Sequence, residues 1–188
     1  MRLLLIGFFL CYSVLTLAET VLPSDSIYQV GGTWQTQDNE YIQLDSLMGK
    51  PQLIALIFTG CSNSCPIIVE SMKEIEKQVP IKMRSKIGFV LVSITPDTDY
   101  PKALKAFAEK RGLNSNWKLL RGNNESVRAI SNSLNGRYKV AQDGDVTHSN
   151  SVTLLNNKGQ IQIQAIGTLT GIKPILNLVE RNYSNTNQ

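Results

Sequence analysis

What the chain lacks already excludes several classes. With only three cysteines in 188 residues it is not a disulfide-dense scaffold. Thirteen glycines and seven prolines rule out a collagen-like repeat, and 42% hydrophobic residues rule out a disordered tail. No basic run with interleaved aromatics exists, and the net charge of +4 arises from lysines and arginines scattered among acids, as in Lys73, Glu74, Glu76 and Lys77. That pattern is a solvated surface, so nucleic acid is not an expected partner. No internal repeat is visible. The length suits one well-buried domain.

The N-terminus bears on the compartment. Met1 and Arg2 precede fifteen uncharged residues, Leu3 to Leu17, and Thr16-Leu17-Ala18 places small residues where a signal peptidase requires them. Fifteen residues fall short of the roughly 20 needed to span a bilayer. Residues 1–18 therefore read as a cleaved export signal, an uncleaved anchor being the alternative. Cys11 lies inside this segment and is not a functional thiol, which leaves Cys61 and Cys65.

A purely structural bridge between those two would enclose three residues, at the weak end of the stabilisation a cross-link provides. Redox chemistry and metal binding are the stronger readings. Residues 19–32 form an extended lead-in, and Thr33 to Leu44 alternates as a β-hairpin. Gln52 to Phe58 is a continuous apolar run of strand length, the pattern of a strand buried on both faces. A helix then carries Ile68, Met72, Ile75 and Val79 on one face, with Pro66 in its first turn. A second buried strand spans Ile87 to Ser93, and Asp97 to Asp99 cap a helix running to about Arg111. Further on come a strand at Trp117 to Leu120, a helix capped by Asn123 or Asn124 and stopped by Gly136, and a polar loop. Strands Ser151 to Leu155 and Ile161 to Ile166, joined by a tight turn, precede a last helix holding Ile172, Ile175, Leu176 and Val179.

Strands alternating with helices and closing in a hairpin imply an α/β protein with a mixed central sheet, an N-terminal β-hairpin and helices on both faces. The layout is thioredoxin-like. Cys61 and Cys65 fall where the first central strand gives way to a helix. The positive end of that helix favours thiolate, which makes Cys65 the expected more acidic sulfur. Two thiolates form a soft donor pair suited to Cu(I) or Zn(II), but two ligands are too few. The single histidine, His148, sits in a loop before the final hairpin. In such a sheet that loop lies beside the cysteine-bearing helix end, so His148 is the expected third donor.

Four segments together carry a family likeness: Phe58-Thr-Gly-Cys61-Ser-Asn-Ser-Cys65-Pro66, Val92 to Asp99 with Pro101, Trp117 to Leu120, and Thr147-His148-Ser149. Over about Leu47 to Arg181 the chain resembles the Sco/SenC family, a peroxiredoxin-like variant of the thioredoxin fold. The resemblance implies a copper metallochaperone with Cys61, Cys65 and His148 as metal ligands. Its partner would be the copper-receiving subunit of cytochrome c oxidase or a similar cuproprotein client, reached in the periplasm or cell envelope by a monomer. Domain organisation is then 1–18 signal, 19–46 lead-in and hairpin, 47–182 thioredoxin-like copper-binding domain and 183–188 polar tail.

Two departures stand out. Ser62-Asn63 and Thr147 occupy positions where the family often has Pro-Asp and an Asp before the histidine, leaving Asp143 or Asp145 to orient His148. The competing reading is a thiol–disulfide oxidoreductase that uses Cys61 and Cys65 to reduce the cysteines of a copper-site client. A general disulfide exchanger is disfavoured by the extra residue between the cysteines and by the absence of proline from Lys102 to Lys173. A peroxiredoxin is disfavoured because Phe58 stands where its proline would fall. A redox or copper sensor without transfer activity is the third class.

Overall fold

The computed structural model describes residues 21–61, 64–141 and 146–184. The 1–18 segment, Ser62, Asn63, Asp143, Asp145 and the end of the polar tail lie outside them.

Two central strands carry the fold, β3 (Gln52–Ile57) and β4 (Gly88–Ser93), and every residue of both is buried. They pair in parallel, Ala55 opposite Leu91. Such strands must be apolar on both faces because each face is covered by its own layer. Leu53, Ala55, Ile57, Phe89 and Leu91 face one layer, built from α1 (Ser64–Gln78), α2 (Pro101–Lys110) and α4 (Lys173–Ser184). Ile54, Leu56, Val90 and Val92 face the other, built from α3 (Asn124–Ser133) and the N-terminal Trp34, Leu44 and Leu47. Helices on both faces of one sheet are thus the direct consequence of two uninterrupted apolar runs.

The remaining strands are β1 (Trp34–Thr36), β2 (Tyr41–Ile42), β5 (Trp117–Arg121), β8 (Ser151–Leu155) and β9 (Ile161–Ile166). They complete a seven-stranded sheet in the order β2-β1-β5-β4-β3-β8-β9. β5 continues the parallel set, whereas β1, β8 and β9 are antiparallel to their neighbours. The sheet is mixed, as the strand–helix alternation and closing hairpin require, and the N-terminal hairpin belongs to it through β1 and β5.

Local chemistry fixes the ends of the elements. Pro66 falls in the first turn of α1, where a missing N–H costs nothing. Asn123 caps α3 by accepting from the Ser126 N–H at 2.7 Å. That helix ends as Asn135 turns to a φ of 52°, and a Cβ on Gly136 would meet Leu56 Cδ1 at 2.8 Å. The glycine is therefore demanded by close packing on β3 rather than by its own dihedral angles.

The sequence reading misplaces two features. The segment read as a polar loop contains a two-stranded antiparallel ribbon, β6 (Tyr138–Val140) and β7 (Val146–His148), so His148 ends a strand. α2 begins at Pro101, with Tyr100 at its cap position making no side-chain cap bond, so Asp97 to Asp99 do not cap it. Pro at the first helical position sets the start by its fixed φ, and Asp99 turns inward.

Phe89 is fully buried and stacks on Trp117, ring centroids 4.7 Å apart. Truncation leaves a cavity between β4 and β5 that neighbouring rings cannot close. Phe89→Ala is expected to lower unfolding free energy by about 3–5 kcal/mol in a denaturant titration with unchanged slope. A loss under about 1 kcal/mol would show that the stack contributes little.

Candidate metal centre

Three elements converge at the C-terminal end of β3. After Ile57 the chain leaves the sheet through Phe58-Thr59-Gly60, and the Cys61 N–H donates to the Phe58 carbonyl at 3.2 Å. Cys65 sits in the first turn of α1, and His148 closes β7. One donor atom from each of Cys61, Cys65 and His148 lies within 4.8 Å of the others. The structure therefore brings together all three residues singled out by sequence.

The two sulfurs occupy different surroundings. Both cysteines are thiols; Cys61 is partly buried and Cys65 fully so. Cys61 Sγ accepts from the Cys65 N–H at 3.3 Å, which makes it the sulfur served by the helix N-terminus. Cys65 Sγ accepts from the Phe58 N–H at 3.5 Å and lies 3.6 Å from His148 Nε2. Burial pushes the Cys65 thiol up to about 12, overriding the Phe58 N–H that favours its thiolate. Burial thus opposes the thiolate that the place of Cys65 at the start of the helix would favour.

The imidazole is oriented by backbone. His148 Nδ1 lies 3.0 Å from the Ser149 carbonyl, which can only accept, so this nitrogen carries the proton of the neutral ring. Nε2 then presents a lone pair toward Cys65 Sγ. Burial holds the imidazole pKa below its ordinary value, and the Ser149 carbonyl opposes this. The Phe58 ring meets the imidazole edge-on at 5.9 Å. Ser149 is itself fixed by reciprocal bonds with Arg137, its N–H donating to the Arg137 carbonyl and its Oγ accepting from the Arg137 N–H, both at 2.8 Å. Among the described residues the Ser149 carbonyl, just past the ribbon, orients the ring; Asp143 and Asp145, which sequence reasoning offered for this role, lie outside them.

Asp99 supports the loop leading to Cys61. Its carboxylate, 2% exposed, accepts from the Thr59 N–H at 3.0 Å and from the hydroxyls of Thr59, Ser93 and Thr95. A buried carboxylate with this many donors welds the end of β4 to the turn before the first cysteine. Sequence reasoning saw Asp99 as a cap and as the end of a family-like segment, not as the anchor of the cysteine loop; the alternating hydroxyls of Ser93 and Thr95 beside it were the available signal. A cleft of about 750 Å³ lined by Phe58, Thr59, Arg128, Tyr138 and Val146 opens between this loop and the ribbon.

Chemically, two sulfurs and one imidazole nitrogen form a soft, three-donor set that fits Cu(I) or Zn(II) and not Mg, Ca or Mn. Removing the Asp99 carboxylate strands several buried donors at once. Asp99→Ala is expected to destabilise the fold by about 3 kcal/mol, read from the chemical denaturation midpoint. A midpoint unchanged from wild type would remove Asp99 from the account of how the loop is held.

The SCO1/SenC family model matches residues 25–182. A SCO1 protein homolog of Bacillus subtilis is 34% identical over 95 residues, half of this chain and 49% of that protein. The chain thus spans about half the length of that relative in alignment. BsSco, whose structure is described as revealing a disulfide switch in a member of the Sco family of cytochrome c oxidase assembly proteins, is 27% identical. The likeness to it has a TM-score of 0.67 and covers 82% of this chain and 93% of that one. Arabidopsis thaliana ScoI, solved with copper bound, shares the fold at a TM-score of 0.70 and 17% identity over 82% of this chain and 96% of its own. With a family match over nearly all of the described residues and the thiol–thiol–imidazole cluster in place, the chain belongs to the SCO1/SenC family.

Proposed function

We propose that the protein is a copper metallochaperone that holds copper through Cys61, Cys65 and His148 and passes it by ligand exchange to the dinuclear copper site of cytochrome c oxidase. The observation that carries this reading is the cluster itself: two sulfurs and a neutral imidazole nitrogen within 4.8 Å of one another. Family membership, the copper-bound relative and the oxidase-assembly relative support it. So does the N-terminal apolar segment, which fits export to the periplasm or cell envelope.

The unequal burial of the sulfurs suits stepwise transfer. Incoming client thiolates meet partly buried Cys61 first, while Cys65 and His148 retain the ion until the exchange completes. Oxidation of the pair would remove two protons and two electrons, form one S–S bond and withdraw two ligands together. Loading is thereby gated by redox state. The same dithiol is the basis of the alternative role, reduction of a client's cysteines, and BsSco's disulfide switch favours keeping it in view.

Metal analysis of the reduced chain after anaerobic Cu(I) loading should give one copper per molecule with both thiols protected. Cys61→Ser, Cys65→Ser and His148→Ala should each weaken copper retention about tenfold or more in competition with a chelator. His148→Ala should still form the disulfide, since an oxidoreductase needs the cysteines alone. Unimpaired copper binding by the alanine variant, with loss of thiol exchange, would replace the chaperone reading by the reductase one.

Affinity is also expected to fall as pH drops from about 7 to 5. Both thiols must release protons to bind, the Cys65 thiol holds its proton strongly, and the imidazole, already neutral at pH 7, gains one below its lowered pKa. A flat profile in the same chelator competition would point to carboxylate ligands.

A further inference from the structure

A second site stands at the opposite end of the sheet, where β3, β4 and β5 begin. Six residues of β3 separate it from the cysteine loop, about 20 Å of strand. A cavity of about 360 Å³ opens there, and three lysines, Lys50, Lys86 and Lys118, line it together with Ser46, Ser115 and Asn116. No aspartate or glutamate is among its lining residues.

Two of the lysines are half-buried, and one of them is held by hydrogen bonds. Lys50 is half-buried, and its Nζ donates to Asn116 Oδ1 at 3.1 Å and to the Ser85 carbonyl at 3.4 Å. Asn116 is fixed in turn, because its Nδ2 donates to the carbonyls of Ile87 at 2.7 Å and Arg84 at 2.9 Å. Lys118 is half-buried on β5, one strand from the pocket floor at Gly88 and Phe89. Neither Lys50 nor Lys118 takes part in an ion pair among the described residues. Burial and the charge of Lys118 both lower the Lys50 pKa, so the two ammonium groups repel across the pocket.

Two such cations, Lys50 and Lys118, in a concave, partly desolvated site with no acid among its described lining residues are disfavoured unless an anion bridges them. Lysine binds phosphate as a point charge, and hydroxyl and amide donors at the rim complete such a site. We propose that this pocket binds a phosphate group, supplied either as a free phosphate or as the headgroup of an anionic phospholipid. The volume admits one phosphate with a small substituent, and the site is independent of the metal centre.

Three preparations test this: wild type, Lys50→Gln/Lys118→Gln, and the exposed-helix control Lys102→Gln. In phosphate-free buffer, inorganic phosphate is titrated against chloride of equal ionic strength, with unfolding temperature and the Gly88 and Ser115 amide resonances as readouts. In parallel, each preparation is sedimented with vesicles of phosphatidylglycerol and phosphatidylcholine and with vesicles of phosphatidylcholine alone. The pocket is supported if the double variant needs about tenfold or more phosphate for the same response, which identifies a soluble ligand. It is equally supported if only wild type and Lys102→Gln sediment with the anionic vesicles, which identifies a headgroup. The double variant loses the Lys50 hydrogen bonds as well as a repulsion, so its unfolding temperature without phosphate is taken as its own baseline; if it does not fold, Lys118→Gln alone replaces it. Equal behaviour of wild type and variant in both arms, or no response beyond the chloride control, would overturn the proposal.

Discussion

The antiparallel pairing of β3 with β8 is the constraint on which the metal centre depends. Ala55 stands opposite Val152, so continuing the register sets Phe58 beside the residues just after His148. This is why the imidazole meets the Phe58 ring and reaches the sulfur that the Phe58 N–H also touches. A slip of one residue would reverse the facing of β8 and carry the ribbon away from α1. The packing on both faces disfavours that slip, because it would move Val152 and Leu154 out of the layer they fill and put Thr153 in their place. Hydrophobic register thus positions a chemical group that makes no hydrophobic contribution of its own.

Around that register, polar groups hold what packing alone leaves free. Asp99 ties the Cys61 loop to β4, and the Ser149–Arg137 bonds close the ribbon below His148. The result is a site with one sulfur deep and one shallow. Under the proposed ligand-exchange role, such asymmetry would separate two tasks that a symmetric pair would confuse: retention of an ion at Cys65 and His148, and access for an exchanging ligand at Cys61.

Much of this was legible in the sequence. Long apolar runs announced β3 and β4 because a strand covered on both faces admits no polar alternation. The four-residue spacing of Cys61 and Cys65 at a strand–helix junction, with a lone histidine before the closing hairpin, gave the site. The ribbon was not legible, since Tyr138-Lys-Val140 and Val146-Thr-His148 are short and half polar, and pairing rather than pattern makes them strands. The Ser149 carbonyl carries no side-chain signature at all. Cys65 misled because helix position is local, whereas its desolvation comes from elements far apart in the chain.

Extended X-ray absorption at the copper edge of the reduced, Cu(I)-loaded chain tests the central claim most directly. Two sulfur scatterers and one imidazole nitrogen, with the imidazole signature absent from the His148→Ala protein, are the expected result. A first shell of sulfur alone, or one dominated by oxygen, would contradict the assignment of Cys61, Cys65 and His148 as the set that holds the ion.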